Sequence, residues 1–272
     1  MEPIDKRAED AENVGDLETA YELWKQLAPA SSDEYVLTRY GRVAQKLQKW
    51  EEAERAFARA FRMAPTSSLV MEIMGSLWAD RTDKTDAESF QTAKQWFLKA
   101  LELGRHARLL TQLACVDAAL DNEEGARGWL EEAIQLDPDY EEALYNLAVL
   151  EEDSNPEKAI DQLERAIRID ADYAEAHQVL GRLYQKAGDL IRAHYHFRRC
   201  LEIDPADYWS NLYLANLLAV QGRNDEAENT YRLATSLCPE ISDGAELFAN
   251  FLDNIGKSEE AASVRAKLGR PG

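Results

Sequence analysis

Alanine recurs along this chain at Ala20, Ala53, Ala93, Ala126, Ala159, Ala193, Ala227 and Ala261, in steps of 33, 40, 33, 33, 34, 34 and 34 residues. A period in this range marks a stack of small supersecondary units, none of which buries its apolar face alone. The chain is therefore restricted to an array in which each unit packs on its neighbours. Such an array offers an extended surface rather than a closed catalytic pocket.

Other positions keep the same register. Twelve residues before most of these alanines stands a small residue, Ala8, Gly41, Ala114, Gly181, Ala215 and Ala249; in the other two units Gly75 stands eighteen before Ala93 and Ala148 eleven before Ala159. Four residues after stands a large apolar one: Trp24, Phe57, Phe97, Leu130, Leu163, Phe197 and Tyr231. Seven after come Leu27, Ala60, Ala100, Ala133, Ala166, Cys200, Ala234 and Leu268. Two helices pack closely where a small residue faces a large one, because interiors are filled to crystal-like density. Pro65, Pro138, Pro205 and Pro239 close four units, since proline cannot continue a helix.

The clearest unit runs from Tyr173 to Pro205. His177, Leu180, Gly181 and Tyr184 share one helical face. Gly188-Asp189 breaks that helix, and Ala193, Phe197 and Cys200 form the face of a second. This pattern resembles the tetratricopeptide repeat, W-x2-L-G-x2-Y, then A-x3-F-x2-A, then P. The resemblance runs in register through eight units and implies an all-α fold, a right-handed α-solenoid of antiparallel helix pairs. The expected organisation is one array over residues 1–272, with units 1–32, 33–66, 67–106, 107–140, 141–172, 173–206, 207–240 and 241–268.

Departures are local. His177 stands where the family favours Trp, and Arg265 occupies the large apolar position of the last unit. The last helix is therefore read as a polar cap, which arrays need for solubility. The first unit opens on an acidic stretch with few apolar residues. The third carries about six extra residues around Thr82 to Phe90, as either a recognition loop or a longer helix pair; the fifth is one short at Ser154-Asn155-Pro156.

The formal charge is −20, from 31 basic and 51 acidic residues. That balance argues against a nucleic-acid binder, which needs a basic footprint. The charge is uneven: residues 105–173 hold 18 acidic and 6 basic residues, whereas residues 32–66 hold 5 and 7. No apolar run approaches the ~20 residues that span a bilayer. No secretory signal is visible at the N-terminus, and Cys115, Cys200 and Cys238 show no pairing pattern. A cytoplasmic location is expected.

Catalytic templates are missing. There is no Gly-rich phosphate loop, H-E-x-x-H, C-x-x-C or G-x-S-x-G. His194 and His196 lie two apart on a helix, point to different faces, and are read as surface or groove histidines rather than metal ligands. The acidic pairs Glu131-Glu132, Glu141-Glu142 and Glu151-Glu152 are read as solvated faces. The expectation is no enzyme, no cofactor and no metal.

Binding falls to the first helix of each unit, which lines the concave side of such a solenoid. Positions not committed to packing give Arg39, Arg42 and Lys46; Arg108 and Gln112; Tyr145, Asn146 and Val149; Gln178, Arg182 and Lys186; Trp209, Tyr213 and Asn216; and Asn250. Amides pair with an extended backbone, Arg182 suits a carboxylate, and Trp209 and Tyr213 supply flat apolar anchors. The bland alternatives are that Trp209 staples neighbouring units, that the tyrosines pack on adjacent helices, and that the arginines pair with nearby Glu. Relatives that clamp a C-terminal carboxylate use asparagines and basic residues over three units. Asn146 fits the middle asparagine, but Cys115 and Val179 replace its neighbours, which argues against that clamp. The leading expectation is an adaptor binding a peptide or protein segment in its groove. The alternatives are an acidic partner of a basic protein and a self-associating scaffold.

Overall fold

The computed structural model describes residues 3–81 and 86–268, and among these there is no strand. The helices run α1 (Ile4–Asn13), α2 (Leu17–Leu27), α3 (Glu34–Lys46), α4 (Trp50–Met63), α5 (Ser68–Asp80), α6 (Asp86–Leu101), α7 (Ala107–Ala119) and α8 (Glu123–Leu136). They continue as α9 (Glu141–Glu151), α10 (Pro156–Ile169), α11 (Ala174–Lys186), α12 (Leu190–Ile203), α13 (Tyr208–Val220), α14 (Asn224–Leu237), α15 (Ser242–Asn254) and α16 (Ser258–Leu268). The chain divides inside α9 into two compact units, Met1–Asn146 and Leu147–Gly272.

In the first unit α1 packs on α2, α3 on α4, α5 on α6 and α7 on α8; in the second, α11 packs on α12, α13 on α14 and α15 on α16. The sequence of α4 explains why. Ala53, Ala56, Phe57 and Ala60 are buried at i, i+3, i+4 and i+7, while Glu51 and Arg55 on the other side are exposed. All eight periodic alanines are fully buried, and the large residues four places on from the first seven are at most 2% exposed.

The small–large rule is quantitative. A Cβ placed on Gly41 falls 2.2 Å from the Phe57 ring; on Gly75 it falls 2.4 Å from Phe97, and on Gly181 2.4 Å from Phe197. Each Phe thus needs a glycine opposite it. Where the large residue is Trp24, Leu130, Leu163 or Tyr231, the corresponding small position carries alanine.

The turn within a helix pair repeats as well. Gly15, Gly188, Gly222 and Gly256 take positive φ there, and Gln48 and Asp121 adopt the same left-handed conformation at φ 56° and 57°. Side-chain caps then start the next helix: Asp16, Asn122, Asn155 and Asp189 each accept from the backbone N–H three residues on. In the third pair, α6 is 16 residues long. Thr82 to Thr85 of the expected insertion lie outside the described residues. In the last pair, Arg265 reaches Asp253, Asn250 and Glu246.

Candidate protein-binding surface

The first-helix faces are built by register. In the first unit, α3 presents Arg39, Arg42 and Lys46, and α7 presents Arg108 and Gln112. Arg39 is held by Glu12 of α1, with contacts of 3.1 and 3.0 Å. Glu12 also accepts from the Trp24 indole at 2.6 Å. Arg108 donates to Glu72 at 2.9 Å, and His106 contacts the same carboxylate at 3.1 Å. Gln112 donates to Ser76 at 3.1 Å. Arg42 and Lys46 are exposed and have no ion-pair partner among the described residues. They border a cleft of about 300 Å³ with Gln45, Ile73, Ser76 and Asp80. Partial burial and the like charges of Arg39 and Arg108 lower the Arg42 pKa from its ordinary value.

In the second unit, α11 carries Gln178, Arg182 and Lys186 one helical turn apart. Gln178 donates to Asp207 at 3.0 Å. Arg182 and Lys186 both bind Glu152, and Lys186 also reaches Asp153 at 3.0 Å. The Arg182 side chain that suits an incoming carboxylate therefore already holds one. Asn216 accepts from the Tyr231 hydroxyl, and Asn250 accepts from Arg265 at 2.7 Å. Val149 is exposed.

α13 differs from every other first helix. Its sequence, YWSNLYLANLLAV, contains no charged residue. A helix apolar on all sides is either fully enclosed or leaves an apolar face for something else. Ser210, Asn211, Leu212, Leu214, Ala215, Leu217 and Leu218 are buried. Trp209 remains 41% exposed and Val220 75% exposed, with half-buried Tyr213 between them on the same side. Tyr213 stacks on Phe197 at 5.6 Å and on Trp209 at 6.2 Å, so the exposed rings are held in place. Leu247 of α15 is also exposed. Trp209 thus rests against its own helix neighbours Tyr208 and Tyr213 while offering an open edge.

Tyr145 and Asn146 end the first unit. Tyr145 is half-buried, and the Asn146 amide donates to the Glu142 carbonyl at 2.8 Å within α9.

The reading of His196 as a surface or groove histidine is corrected. It is buried on the second helix α12, and its Nδ1 lies 2.9 Å from Nδ1 of buried His177. Tyr184 stacks on it at 5.4 Å. Burial, then the charges of His177 and Arg192, push its pKa down to about 4. His194 is half-buried, also on α12 rather than on a first helix. Among the described residues no cluster of three metal-ligating side chains occurs.

Sequence reasoning missed the carboxylates that neutralise the groove cations. A signal was present: Glu12 and Glu152 each stand four residues after the small residue of their first helix.

Comparison with known proteins agrees with this architecture. The tetratricopeptide repeat model matches residues 185–236, and the coatomer epsilon subunit model matches residues 86–198. Residues 185–236 thus match the tetratricopeptide repeat, and the consecutive antiparallel helix pairs of each unit have the all-α fold of proteins built from that repeat. No curated protein matches the sequence. Cut9 in the APC/C hetero-tetramer Cut9–Hcn1 is 15% identical with a TM-score of 0.73, covering 90% of this chain and 48% of that one. Pseudomonas aeruginosa pilF is 18% identical with a TM-score of 0.68, covering 80% and 97%. MamA is 19% identical with a TM-score of 0.53, covering 60% and 89%. At these identities the similarity concerns the fold. No described helix is long and apolar enough to cross a membrane.

Proposed function

We propose that the protein is a non-catalytic scaffold that binds a segment of another protein on the first-helix face of its second unit. The observation that carries this reading is the uncharged helix α13, with Trp209, Tyr213 and Val220 directed outward. Aromatic anchors held by packing lose little freedom on binding and dominate interface energetics. An exposed apolar stripe on a chain of charge −20 is also a specific cost in solvent contact, which a partner removes. The Cut9 structure, which shares the fold, contains a protein partner, Hcn1.

The basic groove residues are assigned a structural part in this reading. Arg39, Arg108, Arg182 and Lys186 tie neighbouring first helices together through Glu12, Glu72 and Glu152. The partner is accordingly an apolar or aromatic segment rather than a free carboxylate terminus.

The test is a photo-crosslinking residue at Tyr213, compared with one at Tyr195, which is 56% exposed on the second helix α12. Adducts with one protein from position 213, lost in Trp209→Ala, support the proposal. Adducts only from position 195 overturn it. A partner released by salt but indifferent to Trp209→Ala favours the acidic-partner reading, because exposed charge attraction is screened. A product of twice the chain mass favours self-association.

A further inference from the structure

The first unit contains a second, unrelated cavity. It is an open cleft of about 730 Å³ between α2, the short 3-10 turn Ala28–Ala30, α3 and α4. That volume falls in the range of small-molecule sites. Leu37, Ala28 and Ala56 are buried in its wall, and Tyr40 and Trp50 contribute half-buried rings.

Its charge runs against the rest of the molecule. Lys25, Lys49, Arg55 and Arg59 line it, against Glu51 and Glu52, in a chain with twenty more acidic than basic residues. Arg55 pairs with Glu51 at 3.0 Å. Here Glu52 is taken by two tyrosines: Tyr21 donates to its two oxygens at 2.9 and 2.8 Å, and Tyr40 donates as well. The lysines are left on the Tyr21 ring, with Nζ of Lys49 4.3 Å and of Lys25 5.0 Å from its centroid. Lys25 also donates to the Tyr21 hydroxyl at 3.2 Å. Arg59 is anchored by carbonyls alone, donating to Ala28 at 2.9 Å and Ser31 at 2.8 Å. Among the described residues none of Lys25, Lys49 and Arg59 has a carboxylate within ion-pair distance. The Glu52 charge acts on both lysines, whose attraction adds to its tyrosine hydrogen bonds in lowering its pKa.

We propose that this cleft binds a small amphipathic anion, its apolar body on Tyr40 and Trp50 and its sulfonate, carboxylate or phosphate head at Lys25, Lys49 and Arg59. The aromatic floor and the cationic rim act together: neither a neutral apolar molecule nor a bare phosphate uses both. The site is separate from the α13 surface, so either can fail without the other.

The test uses the intact chain and anilinonaphthalene sulfonate at physiological ionic strength. Binding is followed by dye fluorescence and by the Trp50 indole N–H signal in an NMR spectrum, assigned with Trp50→Phe. The proposal expects one saturable site at which the Trp50 signal moves. It also expects the double variant Lys25→Glu, Lys49→Glu to weaken binding about tenfold or more with an unchanged circular dichroism spectrum. Arg192→Glu in the second unit, whose guanidinium also lies over a tyrosine, serves as the charge control and leaves binding unchanged. Dye binding that does not move Trp50, or that survives the double variant, overturns the proposal. Flotation with phosphatidylserine vesicles that depends on the same lysines, without a saturable free-dye site, also overturns it in favour of a membrane surface.

Discussion

α3 and α11 occupy equivalent places in the two units and carry the same cations in the same register. Arg42 and Lys46 follow Gly41 by one and five residues; Arg182 and Lys186 follow Gly181 likewise. Each is preceded by a first helix whose small residue is followed, four places on, by glutamate: Glu12 and Glu152. The outcome is opposite. Glu152 holds both Arg182 and Lys186, whereas Arg42 and Lys46 have no ion-pair partner among the described residues. Two positions separate the two cases. Two residues before the glycine, α3 has Arg39, which captures Glu12, while α11 has buried Val179, which makes no such demand. Asn13 also stands where Asp153 supplies a further carboxylate. Charge at a repeat position therefore does not define a binding site; what the neighbouring repeat does with that charge does.

The largest expected effect tests what the two helices share. Gly41→Ala and Gly181→Ala each drive a Cβ into a Phe ring and are expected to cost about 1–3 kcal/mol. Thermal melts check this, and Phe57→Leu is expected to recover part of the Gly41→Ala loss by restoring an alanine–leucine pairing like Ala114 and Leu130. Equal melting of Gly41→Ala and wild type would refute the size-matching argument.

The next effect separates the helices by pH. Where α11 and α12 bury His177 and His196, α3 and α4 bury Leu37 and Ala56 at the same register. Both histidines have pKa values lowered chiefly by burial; Arg199 adds to this for His177 and Arg192 for His196, opposed at His177 by the Ala171 carbonyl and Asp172. The native state thus favours the neutral rings. Their contribution is complete above the unfolded value of 6.5 and is lost as pH falls from there toward about 4. Hydrogen exchange at pH 5 is expected to show faster opening of 174–203 relative to its rate at pH 7.5, beyond any change in 34–63. His196→Leu is expected to flatten that dependence.

Smaller again is the difference between bound and unbound cations. Arg182→Ala removes one of the two cations bound to Glu152, leaves Lys186 in place, and is expected to cost about 1 kcal/mol. Arg42→Ala is expected to stay within about 0.5 kcal/mol of wild type. Urea titration of both variants measures the contrast. The smallest expected effect addresses its cause. In an Arg39→Val background, a double-mutant cycle between Glu12 and Arg42 is expected to reveal a coupling of about 0.2–1 kcal/mol that is missing with Arg39 in place.

The periodic alanines, the glycine–phenylalanine pairs and the closing prolines were legible because packing constrains them at fixed spacing. The burial of Ala20 through Ala261 follows from helical geometry alone. The exposed face of α13 was also legible, since Trp209 and Tyr213 sit on a helix without charge. The fate of the groove cations was not. Whether Arg182 is free depends on which of several side chains Glu152 reaches, a choice among rotamers rather than a pattern. The same holds for Glu52, whose tyrosine donors lie 31 and 12 residues away, and for the histidine pair, 19 apart. His177 signalled its partner only by departing from Trp.

The glycine–phenylalanine contacts also determine how such a chain can be cut and rejoined. Gly41 is on α3 and Phe57 on α4, so a chimera joined between those helices separates a matched pair. Attaching a first helix with alanine at that position to α4 creates the clash that Gly41 avoids. A join after Met63, where α4 has ended, keeps both members together. The heritable module of this protein is thus the pair read from its first helix to its second. Recombination that respects that boundary keeps each glycine–phenylalanine pair intact and leaves only the contacts between pairs, such as Tyr213 of α13 on Phe197 of α12, to be matched anew.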